Sequence, residues 1–269
     1  MKRFTLLSLI TIALLFLYSC TNAKKDNPNY IKIGIASGPE RDLAEAAKKE
    51  AKEKYNLDVE LVSFTEYVLP NEALNNGDLD ANAFQHVPYL TEQSKQRGYK
   101  LAVVGKTFVF PIVAYSKKIK NIAELQNGST VVIPNDPTNG GRSLLLLQKN
   151  GLLKLKDNVG LLPKVTDITE NPKQLKIVEI EAPQLPRVLD DKDVTIAVVN
   201  NNFAAQAGLD PDKNGLLKED KESAYMNVIV AREDNRNSEK VKNFVKAYQS
   251  KAVEQAAEKA FKGGAIKGW

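Results

Sequence analysis

The feature that most restricts this chain is a strand–helix–strand unit in residues 31–62. Ile31-Lys32-Ile33-Gly34-Ile35-Ala36 alternates and is rich in β-branched residues, which predicts a strand. Ser37-Gly38-Pro39 turns the chain into Glu40–Tyr55, where Leu43, Ala46, Ala47, Ala51 and Tyr55 keep to one helical face. Leu57–Val62 is the second strand. Two strands joined through a helix pair in parallel, and parallel sheets are covered by helices. The class is therefore α/β.

The rest of the chain repeats the theme twice. Glu66–Asn76 is expected to be helical in part, Leu79–Ala83 a strand and Pro88–Gln96 a helix. Leu101–Val104 and Phe108–Tyr115 are extended. A second series follows: strand Thr130–Pro134, helix Thr138–Asn150, strand Lys176–Ile180, helix Gln184–Leu189, strand Val194–Val199 and helix Asn201–Ala207. Tyr225–Ala231 is extended again, and a helix runs from Ser238 to about Ala260. Extended segments near residues 110 and 228 separate the series. Two crossings return the C-terminal segment to the first half. That layout suits a two-lobed binding protein with a cleft at the hinge, with residues 30–109 and 228–269 in lobe 1 and 110–227 in lobe 2. One continuous doubly wound sheet fits the same periodicity, and both layouts stay open here.

The N-terminus has its own pattern. Lys2 and Arg3 precede an apolar run from Phe4 to Leu17, too short for a membrane span and suited to a secretory signal. Leu17-Tyr18-Ser19-Cys20 resembles a bacterial lipobox, so residues 1–19 read as a signal peptide and Cys20 as the lipidated residue. Thr21–Asn29 is polar, making 20–29 a lipidated tether. The expected location is the cell envelope, lipid-anchored to a membrane. Cys20 is the only cysteine, so an internal disulfide is excluded and a packed core must hold the fold. The net charge of +5 falls to +3 without Lys2 and Arg3, and the lysines are scattered among acidic residues. No basic stripe interleaves with aromatics, which excludes a nucleic-acid partner.

Catalytic signals are nearly absent. There is one histidine, His86, and no HExxH, GxSxG, Walker loop or paired-cysteine site. No enzyme, cofactor or metal is expected. Three clusters suit binding instead. In Asn135-Asp136-Pro137-Thr138-Asn139-Gly140-Gly141-Arg142, Thr138 or Asn139 can cap the following helix. The glycines would let a ligand approach the backbone, and the helix N-terminus would offer unpaired N–H groups. Arg142 adds a planar fork matched to a carboxylate. An ordinary capped helix with a surface arginine reads the same way. Second, Phe84, His86 and Tyr89 fall at a strand-to-helix junction, with Tyr67 in a similar loop. Such loops lie at the carboxyl ends of strands, where open α/β sheets bind ligands. Aromatic faces would wrap an apolar or thioether side chain; core aromatics around a structural imidazole are the alternative. Third, Asn200, Asn201 and Asn202 follow a strand, and Asn227 sits in an extended run. Asparagine can give a carbonyl to an ammonium and an amide to a carboxylate, though three in a row by themselves read only as a polar loop.

Long strings then point to a family: YVLPNEAL at 67–74, GDLDANAFQHVPYL at 77–90 and RGYKL at 97–101. PNDPTNGGRSLLLLQKNGLLKL at 134–155, DITENPKQLKIVEIEAPQLPR at 167–187 and KESAYMNVIVARED at 221–234 continue the series. The chain resembles, from about Ile31 to Trp269, the methionine-binding lipoproteins of bacterial ABC uptake systems, the MetQ/NlpA family. The resemblance implies a two-lobed periplasmic-binding-protein fold, a methionine ligand (L- and possibly D-), an ABC permease with its ATPase as partners, and a monomer. It places side-chain contacts on Tyr67, Phe84, His86 and Tyr89. Contacts to the amino-acid backbone fall on Asn139, Arg142, Asn200 and Asn227, with Asn202 the next candidate in its run.

Overall fold

The computed structural model describes residues 27–220, 222–262 and 264–269. The signal peptide 1–19, Cys20 and the start of the tether lie outside the described residues.

In chain order the first half holds β1 (Tyr30–Ala36), α1 (Glu40–Tyr55), β2 (Asp58–Phe64), α2 (Leu69–Asn75), β3 (Ala81–His86), α3 (Val87–Arg97) and β4 (Leu101–Val109). The middle holds β5 (Val113–Tyr115), β6 (Thr130–Pro134), α4 (Pro137–Lys149), β7 (Lys154–Leu155), β8 (Ile168–Glu170), β9 (Lys176–Ile180), β10 (Ile196–Val199), α5 (Asn201–Gln206) and β11 (Gly215–Lys218). The chain ends with β12 (Met226–Arg232), α6 (Glu239–Tyr248), α7 (Lys251–Phe261) and β13 (Ile266–Lys267).

These strands form two main sheets and a small hairpin. The first has the order β13-β4-β12-β3-β1-β2, with β1 parallel to both β2 and β3 and β12 antiparallel to β3 and β4. The second has the order β11-β5-β10-β6-β9, with β6 parallel to β9 and β10. The chain leaves the first sheet after Val109, enters the second at Val113, and returns between Lys218 and Met226. The fold is therefore the two-lobed one with two crossovers, not one continuous sheet.

Each lobe has its own core. In the first, Ile31, Ile33 and Ile35 of β1 pack against Leu43, Ala47 and Ala51 of α1, Phe244 of α6 and Phe261 of α7. The alanines of α1 let α6 and α7 lie close against it. In the second, Ile112, Val131, Ile133, Leu144, Leu147 and Ile196 form the corresponding cluster. Burying one such aliphatic or aromatic side chain contributes about 1.5–3 kcal/mol, so two cores of this size hold the lobes without a disulfide.

Several elements differ from expectation. β3 starts at Ala81 and runs on to His86, and all six residues are buried. It lies inside its sheet, between β1 and β12, so it lacks the alternation of a half-exposed strand. The expected helix at 184–189 is two 3₁₀ turns, Ala182–Gln184 and Arg187–Asp190. Pro186 lacks an N–H and interrupts any continuous helix there. The long C-terminal helix is broken at Gln249–Ser250. Ser250 is extended, and its hydroxyl accepts from Val253 N–H to start α7.

Candidate ligand-binding site

One cavity lies between the lobes, with about 390 Å³ of space between atoms. Tyr67, Phe84, His86, Tyr89, Asn139, Arg142, Asn200 and Asn227 all line it. So do five others: Glu40, Gln85, Phe110, Asn201 and Asn202.

One wall is aromatic. The rings of Tyr67, Phe84 and Tyr89 lie 5.9–6.2 Å apart, tilted or edge-on. Tyr89 donates its hydroxyl to Tyr67 C=O at 2.9 Å, which fixes the two rings together. Phe203, from the other lobe, packs on Tyr67 at 5.0 Å. Behind the wall, buried Asn71, Asn82 and Gln85 bond one another, and Asn82 Nδ2 also donates to Pro70 C=O. A satisfied buried network of this kind holds β3 in one position.

His86 ends β3 and caps α3. Its Nδ1 accepts from Tyr89 N–H at 3.1 Å, so its ring proton sits on Nε2 and donates to Asn139 Oδ1 at 3.1 Å. Burial, with Arg142 nearby, pulls its pKa down to about 3. The ring stays neutral and both nitrogens are used, so it offers the cavity a face and not a hydrogen bond.

Asn139 is a junction. Its Oδ1 accepts from His86 and from Asn200 Nδ2 at 2.9 Å, and its Nδ2 donates to Asp136 at 2.9 Å. It joins the aromatic wall of one lobe to β10–α5 of the other. Asn227 Nδ2 lies 3.5 Å from Phe84 C=O, on β12 beside His86 in the sheet register.

The start of α4 departs from the sequence reading. Asp136 is the cap, not Thr138 or Asn139; its Oδ1 takes the N–H groups of both. Pro137 has no N–H, and Gly140 N–H donates to Asp136 C=O. The first turn thus has no N–H left for a ligand. The glycines serve the protein's own packing. A Cβ at Gly140 would come 2.8 Å from Pro134 C=O, and one at Gly141 2.9 Å from Leu161 C=O. Neither glycine lines the cavity.

Anion recognition therefore rests on Arg142, which is 4% exposed. Its Nε donates to Glu219 Oε1 at 3.0 Å and its Nη2 to Glu219 Oε2 and to Phe110 C=O. Among the described residues Nη1 has no partner. The guanidinium lies over the Tyr225 ring, 4.4 Å from its centre. Glu219 also accepts from Ile112 N–H at 3.3 Å and from the Ser223 hydroxyl at 3.2 Å. Phe110 and Ile112 lie in the first crossing and Glu219 in the second, so Arg142 is braced by both hinge segments.

Sequence reasoning did not find Glu219, Tyr225 or Glu40. Glu219 stands in the charged string Lys218–Glu222, which reads as a solvated loop. Glu40 could have been found, since it follows β1 at the carboxyl end of a strand, the same position that drew attention to Tyr67.

A family model described as NlpA lipoprotein matches residues 31–269. The D-methionine-binding lipoprotein MetQ of Escherichia coli K12 is 64% identical over 258 residues, covering 96% of this chain and 95% of that protein. The probable D-methionine-binding lipoprotein MetQ of Vibrio cholerae is 57% identical over 271 residues, with coverages of 99% and 100%. Among solved structures, a methionine binding protein MetQ has TM-score 0.89 at 65% identity, covering 90% of this chain and 99% of its own. A nutrient binding protein from Burkholderia cenocepacia bound to methionine has TM-score 0.86 at 47% identity, with coverages of 89% and 100%.

Proposed function

This chain belongs to the NlpA lipoprotein family, and from that membership and its cavity we propose that it is the substrate-binding lipoprotein of an ABC importer, capturing methionine between its lobes. The observation that carries the reading is the pairing of an aromatic wall with one braced arginine in a single cavity between the lobes. The thioether lies among Tyr67, Phe84, Tyr89 and the face of His86. Sulfur–aromatic contacts are worth about 0.3–1.5 kcal/mol each. The carboxylate takes the unpartnered edge of Arg142. Asn200 and Asn227 close on the amino-acid backbone, while Asn139 acts mainly by holding His86 and Asn200 in place. No group here is arranged to break a bond; the role is binding. The ligand is methionine, in the L form and the D form, and it is passed to a permease driven by an ATPase subunit.

The lobes in this reading are residues 30–109 with 228–269, and 110–227; the crossings at 109–113 and 218–226 support it. Ligand capture closes them about those crossings. The protein is a monomer in the cell envelope, held by acyl chains on Cys20 after loss of residues 1–19 and tethered through 20–29. Two or more acyl chains give stable anchoring, at about 0.8 kcal/mol per buried CH₂. The mass of the mature N-terminal peptide is expected to be that of an acylated Cys20; an unmodified cysteine, or a peptide retaining Met1, overturns the anchor.

Thermal melting of ligand-stripped protein tests the ligand. L-methionine at a hundredfold excess over Kd adds about 2.7 kcal/mol. For a chain of this size that raises Tm by about 5–10 °C. No shift with methionine, and a large one with another amino acid or a methionine dipeptide, reassigns the pocket.

A further inference from the structure

Glu40 is a buried acid that no interaction described above uses. It is 5% exposed, lines the cavity, and has no hydrogen-bond or ion-pair partner among the described residues. Two more acceptors in the same cavity are unpartnered: Asn200 Oδ1 and Asn202 Oδ1, both buried. Glu40 opens α1 in the first lobe, whereas the asparagines open α5 in the second. The end of α5 lies against the turn before α1, since Gln206 donates to Ser37 C=O at 3.0 Å. Gly38 has φ of 90°, and a Cβ there would meet the Gln206 side chain. An α-ammonium group has three N–H donors, and here three unpartnered acceptors from two lobes line one cavity.

We propose that Glu40, with Asn200 and Asn202, is the ammonium subsite of the amino-acid pocket, and that Glu40 gives up a proton when the ligand binds. The proposal rests on the amino-acid reading above and deepens it. Arg142 cannot balance Glu40 in the empty cavity, because Glu219 already pairs with it. Burial alone pushes the Glu40 carboxyl up to about 8, so the empty site holds it protonated at neutral pH. An ammonium against it favours the carboxylate and expels the proton. The groups facing Glu40 do not titrate in the same range. Burial and nearby carboxylates raise Tyr67, burial and Glu40 raise Tyr248, and His86 is held near 3.

The sign follows. A carboxyl raised in the empty protein and ionised in the complex makes binding release a proton between about pH 5 and 8. Affinity then rises with pH across that window, up to tenfold per unit. Calorimetry of L-methionine on ligand-stripped protein at pH 7, in phosphate and in Tris, counts the protons from the buffer dependence of the enthalpy. Close to one proton released per ligand is expected. Glu40→Gln, checked for a wild-type Tm in the absence of ligand, is expected to bind at least tenfold more weakly with no proton release. The desamino analogue 4-(methylthio)butanoate should bind both proteins alike with a flat pH profile. Wild-type binding of methionine without proton release overturns the Glu40 assignment and leaves the methionine reading standing, and needs no variant to see. Glu40→Gln binding as tightly as wild type does the same. Absence of methionine binding to the wild type overturns both.

Discussion

Arg142→Ala is expected to lower the affinity for methionine at least a hundredfold and to lower the melting temperature of the empty protein. The two losses have different origins. Binding loses the one guanidinium that faces the cavity, and α4 offers no replacement because Asp136 takes its first N–H groups. A hydrogen bond to a charged group is worth about 1.5–3 kcal/mol, and a hundredfold loss corresponds to about 2.7 kcal/mol. Stability falls because Glu219 is left without its cation. Breaking a buried pair costs about 3–5 kcal/mol; here the Ile112 N–H and the Ser223 hydroxyl remain to Glu219, and its side chain is 15% exposed, so the lower end applies. Arg142→Lys keeps the charge and loses the fork, and is expected to recover part of the stability and little of the affinity. Calorimetry and melting curves on the two variants separate the effects. Affinity for Arg142→Ala within threefold of wild type removes the arginine from the pocket's function.

Asn139→Ala is expected to cost about 3 kcal/mol or more of stability. It orphans two buried donors at once, the His86 Nε2–H and the Asn200 Nδ2–H, and removes a bond to half-buried Asp136. An unpaired buried polar group costs about 1–3 kcal/mol, which for a chain of this length lowers Tm by about 6–12 °C. His86 supplies an independent readout, because it is the only histidine in the sequence. In the wild type its ring nitrogen NMR signals should report a neutral Nε2–H tautomer that does not titrate between pH 5 and 8. In the variant that tautomer preference should weaken. A variant that melts with the wild type and leaves the histidine signals unchanged shows that Asn139 is not the junction between the lobes.

Legibility in the sequence followed the physics of each segment. β6 and β9 were readable to the residue, since each is a β-branched run bounded by turn-forming or polar residues. β3 was misplaced because a strand buried on both faces carries no alternation. The cap of α4 was legible in principle. Proline favours the first helical position, so Pro137 points to Asp136. The eight candidate residues line one cavity, but residue type and position left blander readings of them open, and it was the family resemblance that selected them. What the sequence hid was pairing at a distance. Nothing local to Glu219 marks it as the partner of a residue 77 positions away.

The brace on Arg142 gives capture an order in time. Its anchors, Phe110 C=O and Glu219, belong to the two segments that cross between the sheets, so in the proposed closure about those crossings the guanidinium is tied to the hinge. The aromatic wall, in contrast, is complete only when Phe203 of one lobe meets Tyr67 of the other. An arriving amino acid is thus held first by the part common to all amino acids. Its side chain is judged afterwards, as the walls meet. In the proposed reading, amino acids that differ only in side chain are expected to differ in dissociation rate more than in association rate.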